Sequence, residues 1–469
     1  MSSTTHSPPD PRFAKNMREA ELPETAIAAF TLHLERFLAG QSGLLDRSLI
    51  DSVDALDEWD NLESTSTHDG RILDRAVVIK LNGGLGTGMG LEHSKSLIEV
   101  RPGQSFLDLI VRQTLALRKN RGRNVPLLLM NSFRTAKEAE NTLSAYSELT
   151  EGGFPLGFMQ HKIPKILIDD LIPAIWQSNP EFEWCPPGHG DLYAALATSG
   201  LLDRLLAKGI EYAFASNSDN LGAVLDPRIL EFMDQRGVDF IMEVADRTPA
   251  DRKGGHLCRL ADGRLALRES AQCPPDEIDE FQNIELYRFF NTNNIWFSLP
   301  ALKELLDRHD GVLPLDTIVN RKNVDPRDPE SPAVVQLETA MGAAISLFDN
   351  ATAVRVPRRR FSPVKNTDDL LAVRSDAFEL TSDGRVVLDG SRTAPPTIRL
   401  DPRYFKHLDD FDRRFPAGPP SLVNCRSLSV TGDVTFGEGV VVEGDVTIRG
   451  SDEPSRIPNG TILRTEHRA

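Results

Sequence analysis

Residues able to bind a phosphorylated ligand are concentrated in one stretch of the chain, Lys80–Ser96. Five glycines fall between Gly83 and Gly90, and Lys95 follows them. Glycine lets the backbone adopt positive φ values and lets a ligand approach the main chain closely. Successive free N–H groups can bind an anion, and a lysine ammonium can supply a point charge for a phosphate. The composition favours phosphate binding, with a flexible turn between strands as the alternative.

The spacing of this loop differs from those of the two common nucleotide-binding motifs. A Walker loop requires G-x-x-x-x-G-K-[ST], whereas Lys95 lies too far from the last glycine. A dinucleotide fingerprint requires a following helix and an acidic residue about 20 positions on. Here Ser96–Val100 has the pattern of a short strand instead. The apolar run Ala76–Ile79 before the loop predicts a buried strand, so the loop leaves its carboxyl end.

Three further polar clusters occupy similar positions. They are Gln160 after Phe158-Met159, Gly188-His189 before a helix over Leu192–Thr198, and Asn217-Ser218-Asp219 after a strand over Ile210–Ser216. Strands that alternate with helices predict a mostly parallel sheet, and ligands bind at the carboxyl ends of its strands. A histidine at a helix N-terminus is expected to be a neutral donor. On residue types alone, a solvated glutamine, a capping histidine and an Asx turn remain alternatives.

Helices and turns must position these clusters. Ser105 and Asp108 form a capping box for a helix over Ser105–Asn120, and Thr135 opens another helix that ends near Tyr146. Asp262-Gly263 predicts a hairpin turn. Apolar spacing predicts an amphipathic helix over Thr25–Leu38. We also expect helical structure over residues 43–60 and 337–344.

Composition limits the kind of protein. A chain of 469 residues predicts two or three domains. A net charge of −16 argues against nucleic acid or an anionic membrane as partner, so a phosphate site must be a local basic pocket. Four widely separated cysteines, with neither a signal peptide nor an apolar run of about 18 residues, predict a reduced cytoplasmic protein.

The stretch Lys80–Val100, continued by Phe106–Val111, resembles the eukaryotic-type UTP–glucose-1-phosphate uridylyltransferase (UDP-glucose pyrophosphorylase) family. The motif from Asn217 to Val224 matches that family almost letter for letter. The resemblance implies an α/β, Rossmann-like nucleotidyltransferase fold with a mixed sheet, similar to glycosyltransferase-A folds. It implies an N-terminal helical segment (1–70), a catalytic domain (71–375) and a C-terminal domain (376–469). A near-repeat of Val-x-Gly-Asp-Val-Thr at Val430 and Val442 indicates that this last domain is a short parallel, left-handed β-helix.

The resemblance also implies a reaction and a set of site residues. Glucose 1-phosphate would attack the α-phosphorus of UTP in line, assisted by Mg²⁺, to give UDP-glucose and pyrophosphate. The catalytic residues would be Lys95, Lys365 and Asp219, with Asp219 as the metal ligand. Contacts to UTP are implied for Leu81, Asn82, Gly83, Gly84, Lys95, Gln160, Gly188, Asp219 and Lys365. Contacts to the sugar phosphate are implied for Gly84, His189, Asn217, Ser218, Glu269, Asn293 and Asn294.

Some questions stay open at this point. Either Asn293 or Asn294 could face the sugar, and Arg358–Arg360 could line the pyrophosphate exit or pair with acidic residues. The family usually has Gly-Pro before Lys-Ser, whereas Glu92-His93-Ser94 precede Lys95 here, which predicts a less rigid loop. The alternatives are a pyrophosphorylase for another sugar and a binding protein without catalysis. Small-molecule substrates are the expected partners, with a possible homo-oligomer formed through the C-terminal domain.

Overall fold

A mixed sheet forms the centre of the computed structural model, which describes residues 8–41, 43–62, 70–91 and 93–468. From edge to edge its strands are Asp57–Glu58, Ala351–Arg355, Phe240–Asp246, Phe289–Ser298, Tyr212–Asn217, Ala76–Asn82, Leu127–Asn131 and Gly157–Met159. Phe289–Ser298 runs antiparallel to both neighbours, and the other neighbouring pairs are parallel. The predicted mixed α/β fold is confirmed.

Helices cover both faces of this sheet, which explains why its central strands are apolar on both sides. Along Ala76–Asn82, Val78 packs into one core, whereas Val77 and Ile79 pack into the other. The first core includes side chains of helices Phe106–Arg121, Ala136–Leu143 and Pro227–Arg236. The second includes those of Leu192–Thr198, Leu201–Ala207 and Leu299–Arg308.

The carboxyl ends of four parallel strands meet at one edge. Asn217 lies beside Leu81, Asn82 beside Asn131, and Asn131 beside Met159. The loops that follow these strands therefore start from a common line. The predicted capping box is present at the helix behind the first loop, where Ser105 N donates to Asp108 Oδ2 at 2.8 Å.

The N-terminal region is partly as predicted. Helices Pro11–Glu19 and Glu24–Leu38 pack through Phe13 and Phe30 on a small apolar cluster. The helix prediction for 43–60 is wrong: this region forms a 3-10 turn at Arg47–Leu49 and strands Ile50–Asp51 and Asp57–Glu58. These two strands pair with strands His256–Leu260 and Ala351–Arg355, which are distant in sequence, so tertiary pairing replaced local helix propensity.

Smaller strands surround the main sheet. The predicted hairpin is formed by His256–Leu260 and Leu265–Arg268. Other antiparallel strands are Ile166–Leu167, Ile318–Asn323 and Ala333–Glu338; Ile163–Pro164 and Trp184–Cys185; Glu99–Arg101 and Gln104–Ser105; and Phe378–Leu380 and Val386–Leu388.

The helix prediction for 337–344 is also wrong. Strand Ala333–Glu338 is followed by a 3-10 turn over Met341–Ser346. Gly342 packs so closely that an added Cβ would lie 2.8 Å from a methyl carbon of Leu267. The small residues serve close packing, as expected, but in a turn and not in an α-helix.

The C-terminal region contains parallel coils. Its strands are Thr397–Leu400, Cys425–Thr431, Gly444–Arg449 and His467–Arg468; Val434–Phe436 and Ser455–Ile457; and Val441–Val442 and Ile462–Leu463. Val430 lies beside Ile448 and not beside Val442, so one coil is longer than the sequence repeat. The remaining helices are Ile278–Phe281, Thr367–Arg374, Pro402–Phe405 and Leu408–Arg414. The division into three domains stays a prediction.

None of the helices in the described ranges combines the length and the apolar character that crossing a membrane requires.

Candidate active site

Lys95 and Asp219, 124 residues apart, form an ion pair at the carboxyl edge of the sheet. Lys95 Nζ lies 2.5 Å from Asp219 Oδ2, and the side chains are 18% and 14% exposed. The other carboxylate oxygen, Asp219 Oδ1, is buried and has no hydrogen-bond partner within the described ranges. Carboxylate oxygens are typical ligands of Mg²⁺, so this atom suits a cation.

The glycine-rich loop closes on itself above the strand that precedes it. Lys95 N donates to Gly84 O at 3.2 Å, and Ser94 Oγ donates to Asn82 Oδ1 at 3.2 Å. Asn82 also donates to Asn131 Oδ1 at 2.7 Å, so its amide holds the loop to the neighbouring strand. Gly84 has open space where a side chain would be. The main chain at Gly84 is therefore open to close approach, and its contact with a ligand stays a prediction; Glu92 lies outside the described residues.

Lys365 belongs to a segment that packs on the Asp219 turn. Val364 N donates to Asp219 O at 3.3 Å, and Lys365 N donates to Asp369 Oδ2 at 2.7 Å. Burial raises the pKa of Asp369, and the charges of Lys365 and Lys95 both oppose that shift. The two ammonium groups thus lie close enough to act on one carboxylate.

Gln160 and Gly188 face the glycine-rich loop from the neighbouring segments. Gln160 Nε2 donates to Gly188 O at 2.7 Å, and an added Cβ at Gly83 would lie 2.7 Å from Gln160 Oε1. Gly188 has a φ of +81°, and an added Cβ there would lie 2.4 Å from Thr339 O. Only glycine fits this position.

His189 is held as a neutral hydrogen-bond donor. Met341 N donates to His189 Nδ1 at 2.9 Å, so the ring proton is on Nε2. Burial lowers the pKa of His189 to about 4. The neutral ring was predicted from the helix N-terminus, but the structure assigns it to burial and to a backbone donor distant in sequence.

We expect His189 to remain neutral from pH 8 down to about pH 5, because burial lowers its pKa to about 4. The unfolded ring has an ordinary pKa, so lowering the pH from about 6.5 to about 4 should lower the free energy of unfolding. NMR of ¹⁵N-histidine-labelled protein, with His189→Gln to assign the signal, measures the titration. A midpoint near 6.5 would contradict the expectation.

Asn293 and Asn294, either of which could face the sugar according to the sequence, differ in burial and in hydrogen bonding. Asn294 is fully buried, and its amide donates to Glu243 Oε2 at 3.0 Å and to Arg360 O at 3.2 Å. Asn293 is half-buried with a φ of +56°, where a bulge interrupts the pairing of its strand. Its Oδ1 accepts from Asn291 Nδ2 at 3.0 Å. The geometry favours Asn293 as the residue that faces a ligand.

The other sugar-side candidates follow strand ends. Asn217 is the last residue of its strand and is half-buried, whereas Ser218 is buried. Glu269 follows strand Leu265–Arg268, and burial raises its pKa while Lys365 and Asn291 oppose the shift. Lys365 therefore links the sugar-side carboxylate to the Asp219 turn.

Arg358–Arg360 pair with acidic residues, which answers the question left open by the sequence. Arg358 Nη1 lies 3.0 Å from Asp251 Oδ2, and Arg359 Nη2 lies 4.0 Å from Asp60 Oδ1. Arg360 is buried and contacts Glu243 through Nε at 2.8 Å and Nη2 at 2.5 Å. These arginines hold the segment that precedes Lys365.

Replacing Arg360 by alanine should lower the free energy of unfolding by about 3–5 kcal/mol, because Glu243 would be left buried without its partner. Arg359→Ala is the matched control: its side chain is 60% exposed, and we expect a change within about 0.5 kcal/mol. Urea unfolding of both variants measures the difference. Equal midpoints would show that Arg360 has no structural role.

Sequence reasoning missed the role of Lys80, although the residue begins the motif. Lys80 is buried, and its Nζ donates to Ser216 Oγ at 2.7 Å and to Ala223 O at 2.7 Å. Burial lowers its pKa to about 7. Lys80 therefore joins the strand below the glycine-rich loop to the residues on either side of Asp219. The signal was a lysine inside an otherwise apolar strand.

The family described as UTP–glucose-1-phosphate uridylyltransferase matches residues 27–443 of this chain. A protein of that name from Solanum tuberosum is 41% identical over 477 residues, covering 98% of this chain and 97% of the relative. One from Saccharomyces cerevisiae is 46% identical over 394 residues, covering 83% and 77%. The chain belongs to this family.

Solved structures agree with the family assignment. A variant of UDP-glucose pyrophosphorylase from Leishmania major, in complex with UDP-glucose, has a TM-score of 0.92 at 43% identity over all of both chains. A UDP-glucose phosphorylase from Trypanosoma brucei has a TM-score of 0.90 at 45% identity, covering 97% of this chain and 98% of that one. The predicted fold and the predicted uridylyltransferase family are confirmed; the roles of individual residues in UTP–glucose-1-phosphate uridylyltransferases of this kind stay predictions for this chain.

Proposed function

We propose that this chain transfers the uridylyl group of UTP to glucose 1-phosphate, giving UDP-glucose and pyrophosphate, with Mg²⁺ as cofactor. The observation that carries the proposal is the Lys95–Asp219 pair with its unpartnered Oδ1 atom, in a chain of this family. Glucose is favoured as the sugar because the relatives that cover most of the chain bear names with glucose 1-phosphate.

The reaction needs alignment and charge stabilisation more than proton transfer. An ionised phosphate oxygen of glucose 1-phosphate forms the new bond to the α-phosphorus of UTP. The bond from this phosphorus to the oxygen that bridges to the β-phosphorus breaks, and pyrophosphate leaves with the electron pair. Because the attacking oxygen is already ionised near neutral pH, no general base is required. Catalysis then depends on fixed positions and fixed positive charges.

The proposed UTP contacts come from three segments. Main-chain groups of Leu81–Gly84 hold the nucleoside, and the Gln160 amide, which can donate and accept, faces the uracil edge beside Gly188. Lys95 directs its ammonium at the UTP phosphates, and Lys365 stabilises charge on the departing pyrophosphate. The support is that the charges of both lysines act on one carboxylate, that of Asp369.

Asp219 is the proposed ligand of Mg²⁺. Its buried, unpartnered Oδ1 has the hard oxygen chemistry that this ion requires. No group of three or more acidic, histidine or cysteine side chains forms a ready cage among residues that the structure describes. This fits an ion held by one carboxylate and by substrate phosphates. Held by Asp219, the ion would supply positive charge that offsets the negative charge of the phosphates.

The sugar phosphate is proposed to lie between the His189 loop and the segment around Glu269. His189 Nε2 donates a hydrogen bond to the phosphate without adding a charge that would vary with pH. Asn217, Ser218 and Asn293 offer hydrogen bonds to the phosphate or to sugar hydroxyls. The carboxylate of Glu269, next to Lys365, accepts from hydroxyl groups.

The test is pyrophosphate release from UTP and Mg²⁺ with glucose, galactose and N-acetylglucosamine 1-phosphates. We expect release with glucose 1-phosphate to exceed that with the others by more than about tenfold, because a site built for one set of hydroxyls leaves polar groups unpaired with another. Faster release with a different sugar 1-phosphate would identify that sugar as the substrate and would leave the proposed uridylyl transfer unchanged. No release with any sugar from folded protein would refute catalysis and favour a binding protein.

We also propose a cytoplasmic location and a homo-oligomer formed through the C-terminal coils. The location is supported by four cysteines that are free and buried. Light scattering of the intact chain and of a chain with substitutions on the coils tests the oligomer.

A further inference from the structure

His161 and Asp191 form a buried pair behind the site, and neither residue has a role in the reaction above. His161 N donates to Asp191 Oδ2 at 2.7 Å, and the Nδ1 atom of the same residue lies 2.8 Å from Asp191 Oδ1. Both side chains are 9% exposed. The two oxygens of one carboxylate are thus engaged by one residue, which fixes both the distance and the angle between their segments.

Each member of the pair is close in sequence to a proposed ligand contact. His161 follows Gln160, on the uracil side, and Asp191 lies two residues after His189, on the sugar-phosphate side. The bond from Gln160 Nε2 to Gly188 O joins the same two segments a third time. The relative position of the Gln160 and His189 side chains therefore depends on these cross-links.

The helix that follows Asp191 anchors the pair at its far side. The Nε2 atom of His161 lies 3.0 Å from Oγ1 of Thr198, the last residue of helix Leu192–Thr198. A cavity of about 50 Å³ is lined by both members of the pair and by Phe30 and His33 of the N-terminal helix.

We propose that His161 and Asp191 are positioning residues that set the separation between the Gln160 and His189 side chains. Through it they set the separation between the bound uracil and the bound sugar phosphate. The inference rests on the proposed function, because it assigns both ends of the separation to substrates. Loss of the pair would displace two contacts at once, and a shift of about 1 Å can cost about 100-fold in rate.

Asp191→Asn keeps the size of the side chain but replaces one acceptor oxygen by an amide nitrogen. We expect kcat/KM to fall about tenfold for both UTP and glucose 1-phosphate, since both contacts move. Asp203→Asn is the matched control: it makes the same chemical change at a carboxylate that is 68% exposed and pairs with Lys303 at 3.2 Å. Its kinetics should equal those of the parent.

Double variants separate positioning from a general structural effect. If Asp191 acts through Gln160 and His189, then Gln160→Ala and His189→Leu should each cost less in the Asp191→Asn background than in the parent. Fully multiplicative losses, or a lower melting temperature with unchanged kcat and KM, would overturn the proposal. Should Asp191→Asn not fold, Thr198→Val removes the contact to His161 Nε2 together with the hydrogen bonds of the Thr198 hydroxyl to Ala194 O and Ala195 O. We expect kcat/KM to fall about threefold, and an unchanged value would overturn the proposal.

The parent protein is assayed first, which separates this inference from the proposed function. If the parent releases no pyrophosphate with any sugar, the proposed function fails. Calorimetry then measures the affinity for UTP of the parent, Asp191→Asn and Asp203→Asn. These affinities test whether the His161–Asp191 pair positions Gln160 for the uracil. Weaker binding by Asp191→Asn alone supports the pair, and equal affinities overturn it.

Discussion

Replacing Asp219 by asparagine is expected to lower kcat by about 1,000-fold at saturating substrate. The reason is that fixed electrostatic groups contribute most to the rate of a reaction such as the proposed uridylyl transfer. Asparagine keeps the shape of the side chain, but its neutral amide binds Mg²⁺ poorly and releases Lys95 from its ion pair. The Mg²⁺ concentration that gives half-maximal rate should rise at the same time. Steady-state kinetics over a Mg²⁺ titration measure both effects.

Asp203→Asn is again the matched control for Asp219→Asn, since it removes an exposed carboxylate far from the proposed chemistry. The unfolding midpoint of Asp219→Asn should stay near that of the parent, because Lys95, which pairs with Asp219, is partly exposed and water can solvate its ammonium group. Turnover close to the parental value would show that Asp219 is not the metal ligand.

Lys95→Ala should reduce kcat by roughly 100- to 1,000-fold, the usual cost of removing a positioned charge that stabilises a transition state. It also leaves Asp219 without a counter-charge, so the carboxylate should attract divalent cations more strongly in the absence of UTP. Kinetics with UTP and glucose 1-phosphate, together with Mn²⁺ binding followed by electron paramagnetic resonance, measure the two effects.

Lys303→Ala provides the control for Lys95→Ala, because the Lys303 side chain is 42% exposed and its ammonium group pairs with the exposed carboxylates of Asp203 and Asp307. A drop in kcat common to both variants would point to a nonspecific loss. A normal kcat in Lys95→Ala would refute the assignment of this lysine to the UTP phosphates.

Local sequence patterns predicted the elements that carry the site. The strand before the glycine-rich loop, the Ser105 capping box and the hairpin at Asp262-Gly263 are all present, because each depends on residues within a few positions of one another. Asp219 could be placed just after a strand for the same reason. Parallel strands then brought these positions to a common edge.

Contacts between distant segments could not be predicted in this way. The partner of Lys95 is 124 residues away, and the arginine run of 358–360 carries no sign of which acidic residues it meets. The donor that fixes the His189 ring comes from Met341. Helix propensity also misled at 337–344, where strand pairing and close packing around Gly342 decide the conformation.

Among the eight strands that span the main sheet from edge to edge, Phe289–Ser298 runs antiparallel to its two neighbours, and this direction decides which end of it lies near the candidate site. Because Phe289–Ser298 is antiparallel, its first residues reach the same edge at which the parallel strands end. The segment between Glu269 and Asn293 therefore leaves the substrate edge and returns to it. If Glu269 and Asn293 contact the sugar as proposed, this one segment carries both contacts, whereas the glycine-rich loop and Asp219 lie outside it. Substitutions within the segment are then expected to change the sugar preference while leaving the proposed UTP contacts in place.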